Sequence, residues 1–151
     1  MKLKTQNFGE VEISEEEIFN FDDGLPGFPE HRRFVLISEE DSPVVSFLQS
    51  VDEERLSFVV VDMMVLMPEY DPNVEEEQIK DLGEYNPEDF LVYNVCTIYD
   101  DLKNSTVNLK APIVINAAQK KGKQVVCSNE EYSVKAPLFV GVPEDEGGGI
   151  C

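Results

Sequence analysis

The stretch RFVLISEEDSPVVSFLQSVDEERLSFVVVDMMVLM, Arg33 to Met67, alternates β-prone runs with polar breaks. RFVLIS is rich in β-branched and large apolar residues, and EEDSP then turns the chain. VVSFLQSV is a second strand, DEER a second turn, and LSFVVVDMMVLM the most apolar run in the sequence. Its β-branched start, Val59 to Val61, favours a buried strand over a helix, and Pro68 closes it. Three strands joined by short polar turns predict an antiparallel sheet rather than alternating strand–helix units.

The flanks extend that pattern. KLKTQ and EVEI form a hairpin around Asn7-Phe8-Gly9, with Val11 and Ile13 on one face and Glu10 and Glu12 on the other. Ser14 and Glu17 have capping-box spacing, but Gly24 follows so soon that only one helical turn, a bend or a short strand fits. One helix is predicted after Pro68, with Asp71 as cap, Pro72 in the first turn, Gly83 at its end, and Val74, Gln78, Ile79 and Leu82 on one face. Glu75, Glu76 and Glu77 then sit in the first turn, favourably placed for the helix dipole. FLVYNVCTIY is a long strand. TVNLKAPIVIN is extended with a bulge or edge at Pro112, which cannot donate to a ladder. AAQKKGKQ reads as a hairpin loop with Gly122 free to take a positive φ, and QVVC and EYSVKAPLFV supply the last strands. The fold class is mainly β: a small antiparallel, partly closed β-barrel-like domain with one short helix. A single domain over 1–143 and a loose acidic, glycine-rich tail over 144–151 are expected.

The net charge of −19, from 12 basic and 31 acidic residues, disfavours direct contact with nucleic acid or anionic membranes. It suits a basic protein partner, and it also serves solubility. No apolar run approaches the roughly 20 residues of a membrane helix, and MKLKTQNFGE lacks the apolar core of a secretory signal, so a cytoplasmic location is expected. Cys96, Cys127 and Cys151 form no CxxC, and Cys96 and Cys127 lie in apolar runs as small core residues.

Motifs for chemistry are sparse. His31 is the single histidine and stands beside Arg32 and Arg33, the setting of a loop residue rather than a general base. One histidine and scattered cysteines lack zinc-ligand spacing, and no EF-hand spacing occurs. GLPGFPEHRRF, Gly24 to Phe34, matches neither phosphate-binding glycine motif, and its prolines remove N–H groups that a phosphate cradle needs. No catalytic residue, metal or cofactor is assigned. Binding is the reading left, and Phe28, Phe47, Phe58, Met63, Met64, Met67 and Tyr70 supply the aromatic and methionine surface for it. Phe47 and Phe58, in mid-strand, also read as core. Gly24, Pro26 and Gly27 set a turn, and Asn108 is placed to satisfy backbone groups near the ladder break at Pro112.

GLPGF at 24–28, RFVLI at 33–37, FLQSVDEERLSFVVVD at 47–62, PEY at 68–70 and TVNLKAPIVINAAQKKGKQVV at 106–126 together resemble the bacterial flagellar assembly factor FliW family. The segments occur in order over most of the chain. The resemblance implies a barrel-like fold without a catalytic site, and two protein partners. One is flagellin, held in the cytoplasm before export. The other is CsrA, a basic RNA-binding repressor of flagellin translation that FliW-like proteins antagonise. A flagellin-only export chaperone is the alternative. Partner contacts are expected at Phe28, Gln49, Phe58, Glu69 and Tyr70, where loops and strand ends set exposed aromatics beside acids.

Overall fold

The computed structural model describes residues 1–25, 27–38, 44–99 and 101–138. Pro26, the EEDSP turn after Ser38 and the tail with Cys151 lie outside the described residues. The described residues form eleven strands: β1 (Lys2–Thr5), β2 (Gly9–Glu12), β3 (Ile18–Asn20), β4 (Arg33–Ser38), β5 (Val45–Ser50), β6 (Ser57–Val61), β7 (Phe90–Thr97), β8 (Thr106–Val107), β9 (Ile113–Asn116), β10 (Lys121–Gln124) and β11 (Ala136–Pro137). Two four-residue helices, α1 (Met63–Leu66) and α2 (Glu76–Ile79), interrupt the β6–β7 connection.

Among the described residues, β7-β6-β5-β4-β3-β10-β9 pair in that order, and β9 returns to β7, closing a seven-stranded barrel. The closure is fuller than the sequence predicts, and one seam is parallel: β3 meets β10 at Asn20 and Lys121, with the Asn20 N–H donating to the Lys120 carbonyl at 2.8 Å. β7 is long enough to serve two neighbours along one edge while β6 pairs along the other. Phe90–Tyr93 pair with β9, whereas Cys96 and Thr97 pair with β8, which carries β11 on its far edge.

The barrel interior is filled by Phe19, Phe21, Leu25, Phe34, Leu48, Val60, Ile113 and Ile115. The alternate residues face outward, yet they are covered too. The β1–β2 hairpin lays Leu3 and Val11 over Ile18, Val35 and Ile37. The α1 segment and the last loops pack Met63, Met67, Tyr70 and Tyr132 over Val59, Val61, Cys96 and Val107. Ile79 and Leu82 cover Val114 and Val125. Strands buried on both faces read as continuous apolar runs, which explains RFVLI and FVVV.

Several expectations shift in detail. The apolar run from Leu56 leaves the sheet at Val61, whose register partner is Asn94. Beyond it the Val65 N–H donates to the Asp62 carbonyl (3.1 Å) and the Met67 N–H to the Met63 carbonyl (2.7 Å). That turn brings Met63 and Met67, four residues apart, to one cluster and leaves Val65 and Leu66 outside. The predicted helix starts later than Pro72. Asp71 instead accepts from the Asn73 N–H at 3.0 Å, Asn73 takes φ 49°, and the helix begins after Glu75, whose N–H donates to Gln78 Oε1. Gly83 ends the segment at φ 89° as expected. Gly122 is not a loop glycine. Lys120 holds the left-handed position (φ 58°), and Gly122 lies in β10 because a Cβ there would stand 2.8 Å from the Phe21 ring and 3.1 Å from Ile115. Asn108 does what its position suggests, Oδ1 accepting from the Ala111 N–H at 2.9 Å next to Pro112.

Candidate partner-binding surface

Leu25 and Phe28 pair with each other across a tight turn. Gly24 has φ 66°, and a Cβ on it would meet the Phe28 carbonyl oxygen at 2.5 Å, so only glycine fits. The Phe28 N–H donates to the Leu25 carbonyl at 2.7 Å, and Leu25 is driven into the core. Phe28, 36% exposed, ends a ladder of rings: its edge meets Phe58 at 5.7 Å between centroids, and Phe58 leans on buried Phe34 at 6.2 Å. Phe58 therefore bridges core and surface, both of the places the sequence allows it. His31 is half-buried, 6.3 Å from the Phe28 ring centroid and 3.7 Å from a Glu30 carboxylate oxygen.

Gln49 and Tyr70 turn inward. Gln49 is 1% exposed. Its Oε1 accepts the Gln6 N–H at 3.0 Å, and its Nε2 lies 3.0–3.3 Å from the carbonyls of Ser50, Glu53, Glu54 and Leu56. It fastens the β5–β6 turn to the N-terminal hairpin. Tyr70 is 4% exposed; its hydroxyl donates to the Leu109 carbonyl at 2.7 Å and accepts from Asn94 Nδ2 at 2.9 Å. Burial pushes its pKa up to about 12. Neither side chain is open to a partner in this conformation, because each is itself buried and spends its polar atoms on groups of the fold. Glu69, next to Tyr70, is exposed. Of the five expected contacts, the structure thus brings Phe28 and Phe58 together and sets Glu69 on a different wall, beside α1.

Beside the GLPGF turn, Asp23, Gly24, Leu25, Gly27, Pro29, Lys123 and Gln124 line a cleft of about 270 Å³. Two of its polar side chains serve the fold: Lys123 Nζ bonds both carboxylate oxygens of Asp81 (3.1 and 3.2 Å), and Gln124 donates to the Ala111 carbonyl at 2.9 Å. Among the described residues no set of three His, Cys, Asp or Glu side chains converges as a metal site would, and no helix is long and apolar enough to cross a membrane. Cys96 and Cys127 are buried as expected, and burial pushes the Cys96 thiol up to about 12.

The outside of the molecule carries the charge. The β6–β7 connection, residues 62–89, holds ten acidic residues and one lysine, −9 of the total −19. The same connection exposes Val65 (60%) and Leu66 (49%) on α1. The sequence reading passes over this apolar pair because it assigns the run to a strand. The four-residue spacing of Met63 and Met67, with polar Asp62 just before them, is the signal that marks the helical turn.

The family model described as "FliW protein" matches residues 2–138. A flagellar assembly factor FliW of Clostridium tetani (strain Massachusetts / E88) is 40% identical over 139 residues, covering 92% of this chain and 96% of the relative. One from Geobacillus kaustophilus (strain HTA426) is 38% identical over 139 residues, with 92% and 96% covered. A crystal structure of the flagellar assembly factor FliW superposes with a TM-score of 0.84 at 35% identity, covering 92% of this chain and 97% of that one. The ordered segments, the closed barrel and these matches agree, and the chain belongs to the FliW family of flagellar assembly factors.

Proposed function

We propose that the protein is a cytoplasmic, non-catalytic regulator of flagellin synthesis that binds two proteins in turn. It binds CsrA and relieves CsrA repression of flagellin mRNA. It also binds flagellin before export, and flagellin that accumulates occupies it and frees CsrA to repress. The observation that carries this reading is the −19 charge on a chain of the FliW family. A barrel filled by Phe21, Phe34, Leu48, Ile113 and Ile115 directs binding to the outer surface, and that surface is acidic. Acidic groups attract a basic RNA-binding protein and repel the RNA it carries. Docking beside the RNA site, with carboxylates raising the energy of any ternary state with RNA, fits this arrangement. Phe28 with Phe58, and Glu69, are the contacts this reading retains.

The test is calorimetric titration of the protein with purified CsrA and, separately, with purified flagellin. Saturable binding to both is expected. Binding to flagellin alone supports the flagellin-only chaperone, and binding to neither rejects both versions.

A further inference from the structure

Two loops meet on the wall that carries α1. The Asp71 N–H donates to Tyr132 Oη at 2.8 Å, the Tyr70 and Tyr132 rings lie 4.9 Å apart, and Asn73 Nδ2 donates to Ser128 Oγ at 3.2 Å. These contacts hold the 67–73 turn against the loop that follows β10. The first loop brings exposed Glu69 and Asp71, the second exposed Glu130 and Glu131. At the head of the first loop α1 presents Val65 and Leu66, 60% and 49% exposed, while Met63 on the same turn is buried. Lys110 Nζ donates to the Asn129 carbonyl at 3.1 Å, and exposed Lys135 ends the second loop.

We infer that α1, through Val65 and Leu66, together with Glu69, Asp71, Glu130 and Glu131, forms the docking face for the basic partner, which seats an aliphatic side chain flanked by lysine or arginine on it. The inference rests on the proposed binding of CsrA and adds where, and by what chemistry, that partner is held. An exposed aliphatic pair gives the desolvated centre of a contact, and the surrounding acids give its charged rim. Charge complementarity selects the occupant. A second copy of this chain brings another −19, and a nucleic acid or an anionic bilayer is also negative, so each is repelled. Phe28 and Phe58 lie elsewhere on the barrel and are not part of this face.

The test uses the full chain with purified CsrA as the probe. In Val65→Ser/Leu66→Ser the affinity for CsrA falls about thirty-fold, the scale of a hot spot. The Glu69→Lys/Glu130→Lys variant slows CsrA association about ten-fold at low salt, with the difference shrinking as salt rises. A charge-matched Glu16→Lys/Glu54→Lys variant, altered at exposed sites away from α1, loses less than either. All these positions are exposed, so urea midpoints stay near wild type and confirm folding. If wild type binds CsrA and the α1 variants bind equally well, the face is wrong while the proposed function stands. If wild type does not bind CsrA, both fall. Loss of flagellin binding alone in the serine variant, or a wild-type dimer that the serine variant dissociates, assigns the face to another occupant and overturns the inference.

Discussion

Gln49→Ala separates fold from partner binding. In the native protein the Gln49 amide joins residues 43 positions apart, accepting from the Gln6 N–H and donating into the carbonyls of the β5–β6 turn. Two amide hydrogens serve four nearby carbonyls, so the side chain makes about three bonds at once. Alanine leaves the Gln6 N–H and the turn carbonyls without that partner at a part-buried site. A fully buried group left unpaired costs about 1–3 kcal/mol, and relaxation of the turn with entry of water to these part-buried groups reduces the sum. The void left by the shortened side chain adds to it. A total of about 3 kcal/mol follows, which lowers Tm by roughly 10 °C in a domain of this size. The chain has no tryptophan, so equilibrium urea unfolding is followed by far-UV circular dichroism. The midpoint should fall with the slope unchanged, and partner affinity measured well below that midpoint should stay at the wild-type value. A stability equal to wild type combined with a ten-fold loss of affinity for either partner would refute the reasoning and place Gln49 on a contact surface.

Three further outcomes follow from the same structure. Gly122→Ala pushes a methyl to 2.8 Å from the Phe21 ring, and Phe21 is fully buried, so it should lose about 1–3 kcal/mol in the same urea assay; wild-type stability would contradict the packing at the β10 seam. Burial raises the folded pKa values of Cys96 and Tyr70 to about 12 from ordinary values of 9.0 and 10.0, so the protonated forms are favoured by folding. Their contribution is complete below about pH 9 and is lost as pH rises toward 12, so urea midpoints should fall across that window and fall less steeply in Cys96→Ala. Stopped-flow association with CsrA should slow as salt rises, because steering between exposed charges is screened beyond roughly 8–10 Å at physiological ionic strength, whereas flagellin binding should change less; flat CsrA rates would reject steering by the −19 charge.

What the sequence discloses here is local, and what it hides is long-range. The hairpin at Asn7-Phe8-Gly9, the Ser14–Glu17 pairing, the stop at Gly83 and the Asn108–Ala111 bond all involve residues within a few positions of one another, so residue type and spacing reveal them. Gln49 and Tyr70 read as surface residues because they are polar and stand near turns. Their burial depends on Gln6 and on Leu109, 43 and 39 positions away. The helical turn after Val61 is hidden for a related reason: Val65 and Leu66 look like core until Met63 and Met67 are seen to take the interior. Gly122 is legible as a special position but not as a packing one, since its constraint comes from Phe21. Family segments carry the rest. They identify the barrel and its role without locating the charged face, because acids are spread along the whole chain.

A three-component titration puts the switch itself to the test. CsrA bound to a labelled flagellin leader RNA is mixed with this protein, RNA release is followed by fluorescence anisotropy, and flagellin is then added. The protein should release the RNA, flagellin should restore the CsrA–RNA complex, and no species holding both CsrA and flagellin should be recovered by size-exclusion chromatography. RNA that stays bound throughout, or a stable complex of all three proteins, would contradict it.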